Sequence, residues 1–343
     1  GEAVALLSRS RAEWVHADFA ILSTGCLTVP IYPSYTPGQI ASIVNDSEAR
    51  TLIVEDPAQL AKALEVRDRM PGLAEIVVID SGEAHAPPVL TWAGLGRLGR
   101  AQAGALKAAL ADRVASISAE DVATIVYTSG TTGEPKGVVQ THANHMAALS
   151  AIAQIPGVEP GDVHLLFLPL AHAFARLEAF VGVHRGLVTA FAESLDRVGE
   201  NLKEVRPHFI FAVPRVFEKV HAKILGDVAA APAAKRSLFR WAMAVGARAS
   251  RLAQARTALP AGLALQQRLA RRLVFSKLHA ALGGRLRFAV SGGAPLPREI
   301  AEFFHAAGIL IVEGYGLTET CPALTFNRID HFKFGSVGQP LPG

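Results

Sequence analysis

The run Tyr127–Val138 reads YTSGTTGEPKGV and stands directly behind the apolar stretch Val122–Val126. It places four small hydroxyls, three glycines and one lysine in twelve positions. Glycine lets the backbone approach a ligand closely and take up φ > 0, and consecutive N–H groups can then form a concavity for an anion. Hydroxyls add donors and the lysine adds a mobile positive charge, so the composition suits a polyphosphate. It is not a Walker A loop, because Pro135 comes five residues after Gly130 and Gly137 follows Lys136 where that loop needs Ser or Thr. The mechanics of P-loop NTPases therefore do not carry over. A plain surface turn would need neither a lysine nor a proline among its glycines.

A chain of 343 residues is long enough for two domains or one large one, and half of its residues are hydrophobic, which supplies an ample core. The two cysteines, Cys26 and Cys321, form no CxxC pair and no disulfide framework, which predicts packing roles in a reducing, cytoplasmic setting. The most apolar window, Phe19–Tyr32, is broken by Ser23, Thr24, Gly25, Thr28 and Pro30, so a spanning helix is not expected. Gly1–Leu7 reads as a buried strand without the basic region and cleavage pattern of a signal peptide, and the sequence is expected to begin inside a fold.

Net charge is +4 but unevenly placed: Lys223–Arg287 holds 13 basic residues against the single acid Asp227, a local balance of +12 that leaves −8 on the rest. Such segregation points to a basic surface facing something anionic, whether CoA, a membrane or nucleic acid. Aromatic residues are sparse in the segment, which argues against nucleic acid.

Short β-rich runs at Val4–Leu7, Thr51–Glu55, Ile76–Ile79 and Thr124–Tyr127 alternate with helical stretches at Arg11–Ser23, Pro37–Asn45 and Leu60–Arg69, and Ala84–Pro88 reads as a loop. A second series of strands is predicted at Val163–Phe167, Leu187–Phe191, Phe209–Val213, Arg285–Val290 and Ile309–Val312. The alternation predicts an α/β class, with two stacked α/β subdomains and mostly parallel sheets. Residues 1–160 would form the first, with the phosphate loop, and 161–343 the second, with a basic helical insertion at 223–287. In that insertion Leu238, Trp241, Val245 and Leu252 share one helical face and Arg236, Arg240 and Arg251 another, with a break near Pro260 and Gly262. A solvated basic face and docking on a membrane surface explain this pattern equally well.

Four pieces in order, Tyr127–Val138, Ser291–Leu296 (SGGAPL), Tyr315–Thr320 (YGLTET) and Gly335–Gly343 (GSVGQPLPG), resemble successive motifs of the adenylate-forming superfamily of acyl-CoA synthetases, luciferases and peptide-synthetase adenylation domains. The resemblance covers essentially the whole chain. Activating a carboxylic acid with ATP brings two anions together, so the phosphates must be neutralised and positioned, normally with Mg²⁺ and a lysine-bearing loop. By the resemblance, Thr128, Ser129, Gly130, Thr131, Thr132, Gly133 and Lys136 hold the β- and γ-phosphates, with Thr128 also at the metal. Glu319 would bind Mg²⁺, Thr318 would hydrogen-bond the α-phosphate and Tyr315 would lay its ring on adenine. Gly292, Gly293, Ala294 and Pro295 would let the backbone close over the base, with Glu313, Gly314 and Gly316 completing the nucleotide-binding segment. Read alone, YGLTET is equally a helix start capped by Thr318.

Within the superfamily, Leu168–Arg176 (LPLAHAFAR), Val213–Val220 (VPRVFEKV) and Val29–Pro37 (VPIYPSYTP) most resemble the long-chain fatty acyl-CoA synthetases. There the matching histidine lines the channel where acyl carboxylate and adenylate phosphate meet, which makes His172 a catalytic candidate beside Thr318 and Glu319. An imidazole can steady developing negative charge there, although a lone histidine among apolar residues is often simply packed. Arg176 lies four residues on, sharing a face with His172 if the stretch is helical. Phe174, Leu177 and Phe180 suit an acyl tunnel and a core alike. His142 and His145, at i, i+3, lack further nearby ligands and read as polar residues of a helix that starts after Thr141, just beyond the phosphate loop.

The expected function is ATP- and Mg²⁺-dependent activation of a long-chain fatty acid to acyl-AMP, then transfer to CoA, with fatty acid, ATP and CoA as partners and no nucleic acid. A fatty acyl-AMP ligase or other adenylate former, and a non-catalytic nucleotide or acyl binder, are the alternatives. Homodimerisation stays open, as does peripheral contact with the inner membrane surface through 223–287. Complete superfamily members carry a ribose-binding aspartate, a hinge and a small C-terminal domain whose lysine serves adenylation. These are expected beyond Gly343, so Lys136 is not that lysine.

Overall fold

The computed structural model describes residues 1–81, 88–128 and 135–342. Two compact units emerge, one of Gly1–Ala148 with Pro169–Leu177, the other of Leu149–Leu168 with Glu178–Gly343.

In chain order the first unit runs β1 (Ala3–Leu7), α1 (Ala12–Ser23), β2 (Leu27–Ile31), α2 (Pro37–Asp46), β3 (Thr51–Val54), α3 (Pro57–Glu65), β4 (Glu75–Val78), β5 (Val89–Thr91), α4 (Trp92–Ser116), β6 (Val122–Thr128), β7 (Lys136–Thr141) and most of α5 (His142–Ala153). The strands form near-continuous buried apolar runs such as Leu52–Val54 and Ile76–Val78, as strands covered on both faces should. Punctuation sets the helices. Thr36 and Gln39 form a capping box ahead of Pro37, and Asp56 caps α3 by accepting the Gln59 N–H at 2.9 Å, again with proline at the first helical position.

The second unit contains β8 (Val163–Leu166), most of α6 (Ala173–His184), β9 (Val188–Phe191), α7 (Val198–Val205), β10 (Phe209–Ala212), α8 (Pro214–Ala229), α9 (Ala233–Gln254), α10 (Ala261–Ala270), α11 (Ser276–Ala281), β11 (Phe288–Ser291), α12 (Arg298–Ala306), β12 (Leu310–Tyr315), β13 (Thr325–Phe326) and β14 (Gln339–Pro340). The sheet orders are β5-β4-β3-β1-β2-β6-β7 and β14-β13-β12-β11-β10-β8-β9. Each therefore contains the same five parallel strands in the doubly wound order 2-1-3-4-5, β2-β1-β3-β4-β5 in one and β9-β8-β10-β11-β12 in the other. The antiparallel additions differ: β7 pairs with β6 in the first unit, and β13 and β14 extend from β12 in the second.

The predicted α/β class with mostly parallel sheets is what the structure shows, with local corrections. The helix expected at Leu60–Arg69 is α3 from Pro57 followed by a 3₁₀ turn, Arg67–Arg69. The strand β7 stands between the phosphate loop and α5, so His142 and His145 do not follow that loop directly. Helix α4, which buries none of its 25 residues, has no counterpart among the predicted elements. Of the loop expected at Ala84–Pro88, residues Ala84–Pro87 lie outside the described residues.

The basic segment is helical and breaks between Gln254 and Ala261, near the expected Pro260. Its buried face is rotated from the predicted one. Val245 is buried, but the centre of the stripe is Ala242, Gly246 and Ala249, and Leu238 is exposed. The reason is the close approach of α12: a Cβ on Gly246 would lie 2.1 Å from the Ala306 carbonyl oxygen. No helix among the described residues is long and apolar enough to cross a membrane.

Candidate nucleotide and acyl site

In the first unit the phosphate-loop sequence is carried by a β-hairpin. The antiparallel register sets Thr128, the last residue of β6, directly opposite Lys136, the first of β7. A Walker A loop leads from strand to helix; here strand leads to strand, which agrees with the unusual spacing around Pro135. Lys136 is exposed and Thr128 half-buried, so both can face a ligand at the hairpin mouth. Ser129, Gly130, Thr131, Thr132 and Gly133 lie outside the described residues. Tyr127 anchors the base of the hairpin: its hydroxyl donates to Asp46 Oδ2 at 2.5 Å, and burial followed by that hydrogen bond pushes the phenol pKa well above its ordinary value.

In the second unit SGGAPL and YGLTET sit at the carboxyl ends of two adjacent parallel strands, where open α/β sheets bind ligands, while GSVGQPLPG leads into the edge strand β14. Ser291 closes β11 and pairs in register with Glu313 of β12. Past Ser291, Gly292 is buried while Gly293, Ala294 and Pro295 are exposed. Glu313 is only 7% exposed, and its Oε2 accepts the Leu296 N–H at 3.2 Å. The Gly335 N–H is a second backbone donor to this carboxylate. One side chain therefore ties together SGGAPL, EGYGLTET and GSVGQPLP. Burial raises the Glu313 pKa, against the two N–H groups that favour the charged form. Its Oε1 is buried without a hydrogen-bond partner among the described residues.

Beyond Glu313 the strand ends at Tyr315, which is exposed with its ring free of the core. Gly314 pairs with Phe326 and Tyr315 with Thr325. Gly316 makes the turn possible, since a Cβ there would lie 1.4 Å from the Pro322 carbonyl oxygen. Thr318–Thr320 form one 3₁₀ turn. Thr318 is its first residue, not its cap; Thr320 Oγ1 accepts the Leu317 N–H at 2.9 Å instead. Glu319 is exposed and follows Thr318 about a third of a turn on. The turn ends at Cys321 in the left-handed region (φ 57°, ψ 56°), a conformation costing roughly 1–2 kcal/mol for a residue with a Cβ.

His172 lies at the start of α6, in the portion belonging to the first unit. Its carbonyl accepts the Arg176 N–H at 3.1 Å, and its Nδ1 accepts the Phe174 N–H at 3.2 Å, satisfying a helix donor that would otherwise be orphaned. A backbone N–H can only donate, so Nδ1 must be unprotonated and the ring presents Nε2–H. Desolvation lowers the His172 pKa, which keeps this neutral form. Arg176, one helical turn on from His172, is taken up by the interior of the first unit. Arg176 is 2% exposed and forms a two-pronged pair with Asp18, Nε to Oδ2 at 2.9 Å and Nη2 to Oδ1 at 2.6 Å. Its guanidinium also stands 5.9 Å from the ring centroid of buried Trp14. Leu177 and Phe180 are buried and Phe174 half-buried, within the packed body of α6.

Several structural partners had no signal in the sequence. Asp18 looks like one of several polar residues on α1, beside Glu13 and His16, and His164 like an isolated histidine in a strand. Yet His164 is fully buried between Glu178 Oε1 (2.9 Å) and Thr189 Oγ1 (2.7 Å) and stacks on Phe209 at 5.4 Å.

The family described as AMP-binding enzyme matches residues 1–343. The chain belongs to this family. FadD15 of Mycobacterium bovis, named a long-chain-fatty-acid–CoA ligase, is 37% identical over 347 residues, covering 100% of this chain and 56% of that protein. Long-chain-fatty-acid–CoA ligase 6 of Mus musculus is 30% identical over 355 residues, covering 99% and 48%. The inhibitor-bound N-terminal domain of FACL13 from Mycobacterium tuberculosis shares the fold at a TM-score of 0.60 and 22% identity, over 96% of this chain and 66% of that one. The chain spans about half the length of the relatives it matches, 56% and 48%. Membership in the AMP-binding family and its α/β fold are thus as the four motifs implied.

Proposed function

We propose that the protein carrying this chain is a long-chain fatty acid–CoA ligase: with ATP it converts a fatty acid to acyl-AMP and pyrophosphate, then transfers the acyl group to CoA. The observation that carries this reading is the 37% identity, across the whole chain, to a protein named for that activity. The local geometry supports it. Lys136 would supply a positive charge for the β- and γ-phosphates, with Thr128 opposite it in register; the hydroxyls and glycines of residues 129–133 belong to this reading by sequence alone. Tyr315 offers an exposed side chain for adenine, and the segment Gly292–Pro295, exposed from Gly293 on, would bring backbone toward the base. Thr318 would donate to the α-phosphate. Glu319 would offer a carboxylate oxygen and Thr128 a hydroxyl oxygen to Mg²⁺, which would supply charge neutralisation at the phosphates. His172, with Nδ1 already accepting, offers Nε2–H to the oxyanion of the acyl carboxylate or of the adenylate phosphate.

Product analysis tests the reading. With ATP, palmitate and CoA the protein should release AMP and form acyl-CoA. ADP as product would overturn it. Acyl-AMP that accumulates whether or not CoA is supplied would favour a fatty acyl-AMP ligase.

A further inference from the structure

The ion pair between Asp18 and Arg176 lies outside the candidate site, yet everything it touches leads back to His172. Asp18, 1% exposed, is on α1, and its two carboxylate oxygens receive both the Nε–H and an Nη2–H of Arg176. The same carboxylate accepts the Thr28 hydroxyl at 2.6 Å, and Thr124 donates its hydroxyl to the Thr28 carbonyl at 2.6 Å. Asp18 is thereby tied to β2 and, through Thr28, to β6, two interior strands of the first sheet. Arg176 lies one helical turn beyond His172 and donates its N–H to the His172 carbonyl. On the other side of His172, the Leu170 N–H donates to Ser10 Oγ at 2.8 Å, and the His172 N–H to the Pro169 carbonyl at 2.9 Å. The segment carrying the imidazole is therefore clamped at Ser10 before it and at Asp18 after it. Within that clamp the Phe174 N–H reaches Nδ1 and selects the tautomer.

We propose that Asp18, acting through Arg176, is a positioning residue that holds the first turn of α6 so that His172 presents Nε2–H outward. A planar guanidinium gripped at two atoms cannot rotate, so the turn is set in angle as well as in distance. A lysine at the same place would keep the charge and lose the angular constraint. The use of His172 in acyl activation rests on the function proposed above; the tautomer and orientation do not.

The test is Arg176→Lys, with the double variant Asp18→Leu/Arg176→Met as a second probe. The double variant removes both charges and keeps apolar volume, a replacement that folded proteins commonly tolerate. The ¹⁵N–¹H correlation spectrum of the imidazoles, with His172 assigned through His172→Gln, reads the tautomer directly. The wild type should show one neutral Nε2–H ring at position 172. Both variants should show a ring averaging between tautomers, with kcat for acyl-CoA formation down at least about tenfold and KM for ATP within about twofold. A folded variant whose His172 spectrum and kcat match the wild type would overturn the proposal. A spectral change with no ligase turnover even in the wild type would retain the positioning role and remove the ligase reading instead.

Discussion

Glu313 Oε2, in strand β12, accepts the N–H of Leu296 in the loop after β11 at 3.2 Å, 17 residues away in sequence. With the Gly335 N–H also bonded to this carboxylate, one buried side chain sets the relative positions of three motif segments. Glu313→Ala should leave the buried Leu296 N–H without its acceptor, at a cost of about 1–3 kcal/mol at most. The expected kinetic signature is a raised KM for ATP with a smaller loss in kcat, measured by initial rates across ATP concentration.

The same carboxyl gives a pH-dependent prediction. Burial raises its pKa from the ordinary 4.5, so the folded state holds its proton to higher pH than the unfolded chain. Its contribution to stability is therefore fully present below pH 4.5 and diminishes as pH rises through the raised value. Glu313→Gln keeps an acceptor oxygen and removes the titration. The difference in melting temperature, wild type minus variant, should decrease between pH 4 and pH 8. A difference that is flat or increases with pH would contradict the assignment.

His145 acts in the opposite sense. Burial, followed by the nearby positive charge of Arg176 and then His142, depresses its pKa to about 3. The unfolded chain binds a proton near pH 6.5 that the folded chain refuses, so stability is complete above about 6.5 and is lost as pH falls toward 3. Urea midpoints taken at pH 7.5, 6 and 5 should fall steadily, and His145→Gln should flatten that fall.

Gly246 is the contact point of α9 with α12. Because an added Cβ would meet the Ala306 carbonyl oxygen at 2.1 Å, Gly246→Ala should destabilise the second unit by roughly 2–3 kcal/mol, despite the better helix propensity of alanine. Chemical denaturation gives the value. Gly262→Ala, with nothing within 4 Å of the added carbon, is the matched control and should be neutral or stabilising.

How much of this was readable in advance depends on the kind of signal. Buried parallel strands announce themselves as short Val/Ile/Leu runs, so the sheet strands at Thr51, Ile76, Val163, Phe209 and Leu310 were found to within a few residues. The strand β7, KGVVQT, begins with a lysine and a glycine that speak for a loop, and its pairing comes from β6 instead of its own composition. Helix α4 escaped notice because it buries nothing, and without a buried face there is no sharp period to detect. The rotation of the α9 face has a related cause: large residues dominate a helical wheel, whereas the close contact is made by Ala242, Gly246 and Ala249. At the candidate site, motif order pointed to the segments after β6, β11 and β12, but nothing in the sequence announced that Arg176 pairs with Asp18, 158 residues away. Pairings of that range leave no trace in local pattern.

Lys136→Ala and Glu319→Ala should each lower kcat/KM for acyl-CoA formation by roughly 10²–10³, the usual effect of deleting one charge-stabilising group at a reacting phosphate. Both side chains are exposed, so melting temperatures should change by less than about 2 °C. Steady-state kinetics alongside thermal melts separates loss of function from loss of fold.

The central claim is activation of long-chain acyl groups through an adenylate. ATP–[³²P]pyrophosphate exchange by the protein carrying this chain, run with acids from acetate and benzoate to palmitate and oleate, tests it most directly. Exchange is predicted with the long-chain acids, dependent on Mg²⁺ and abolished in Glu319→Ala. Exchange confined to short or aryl acids, or none with any acid, would contradict it.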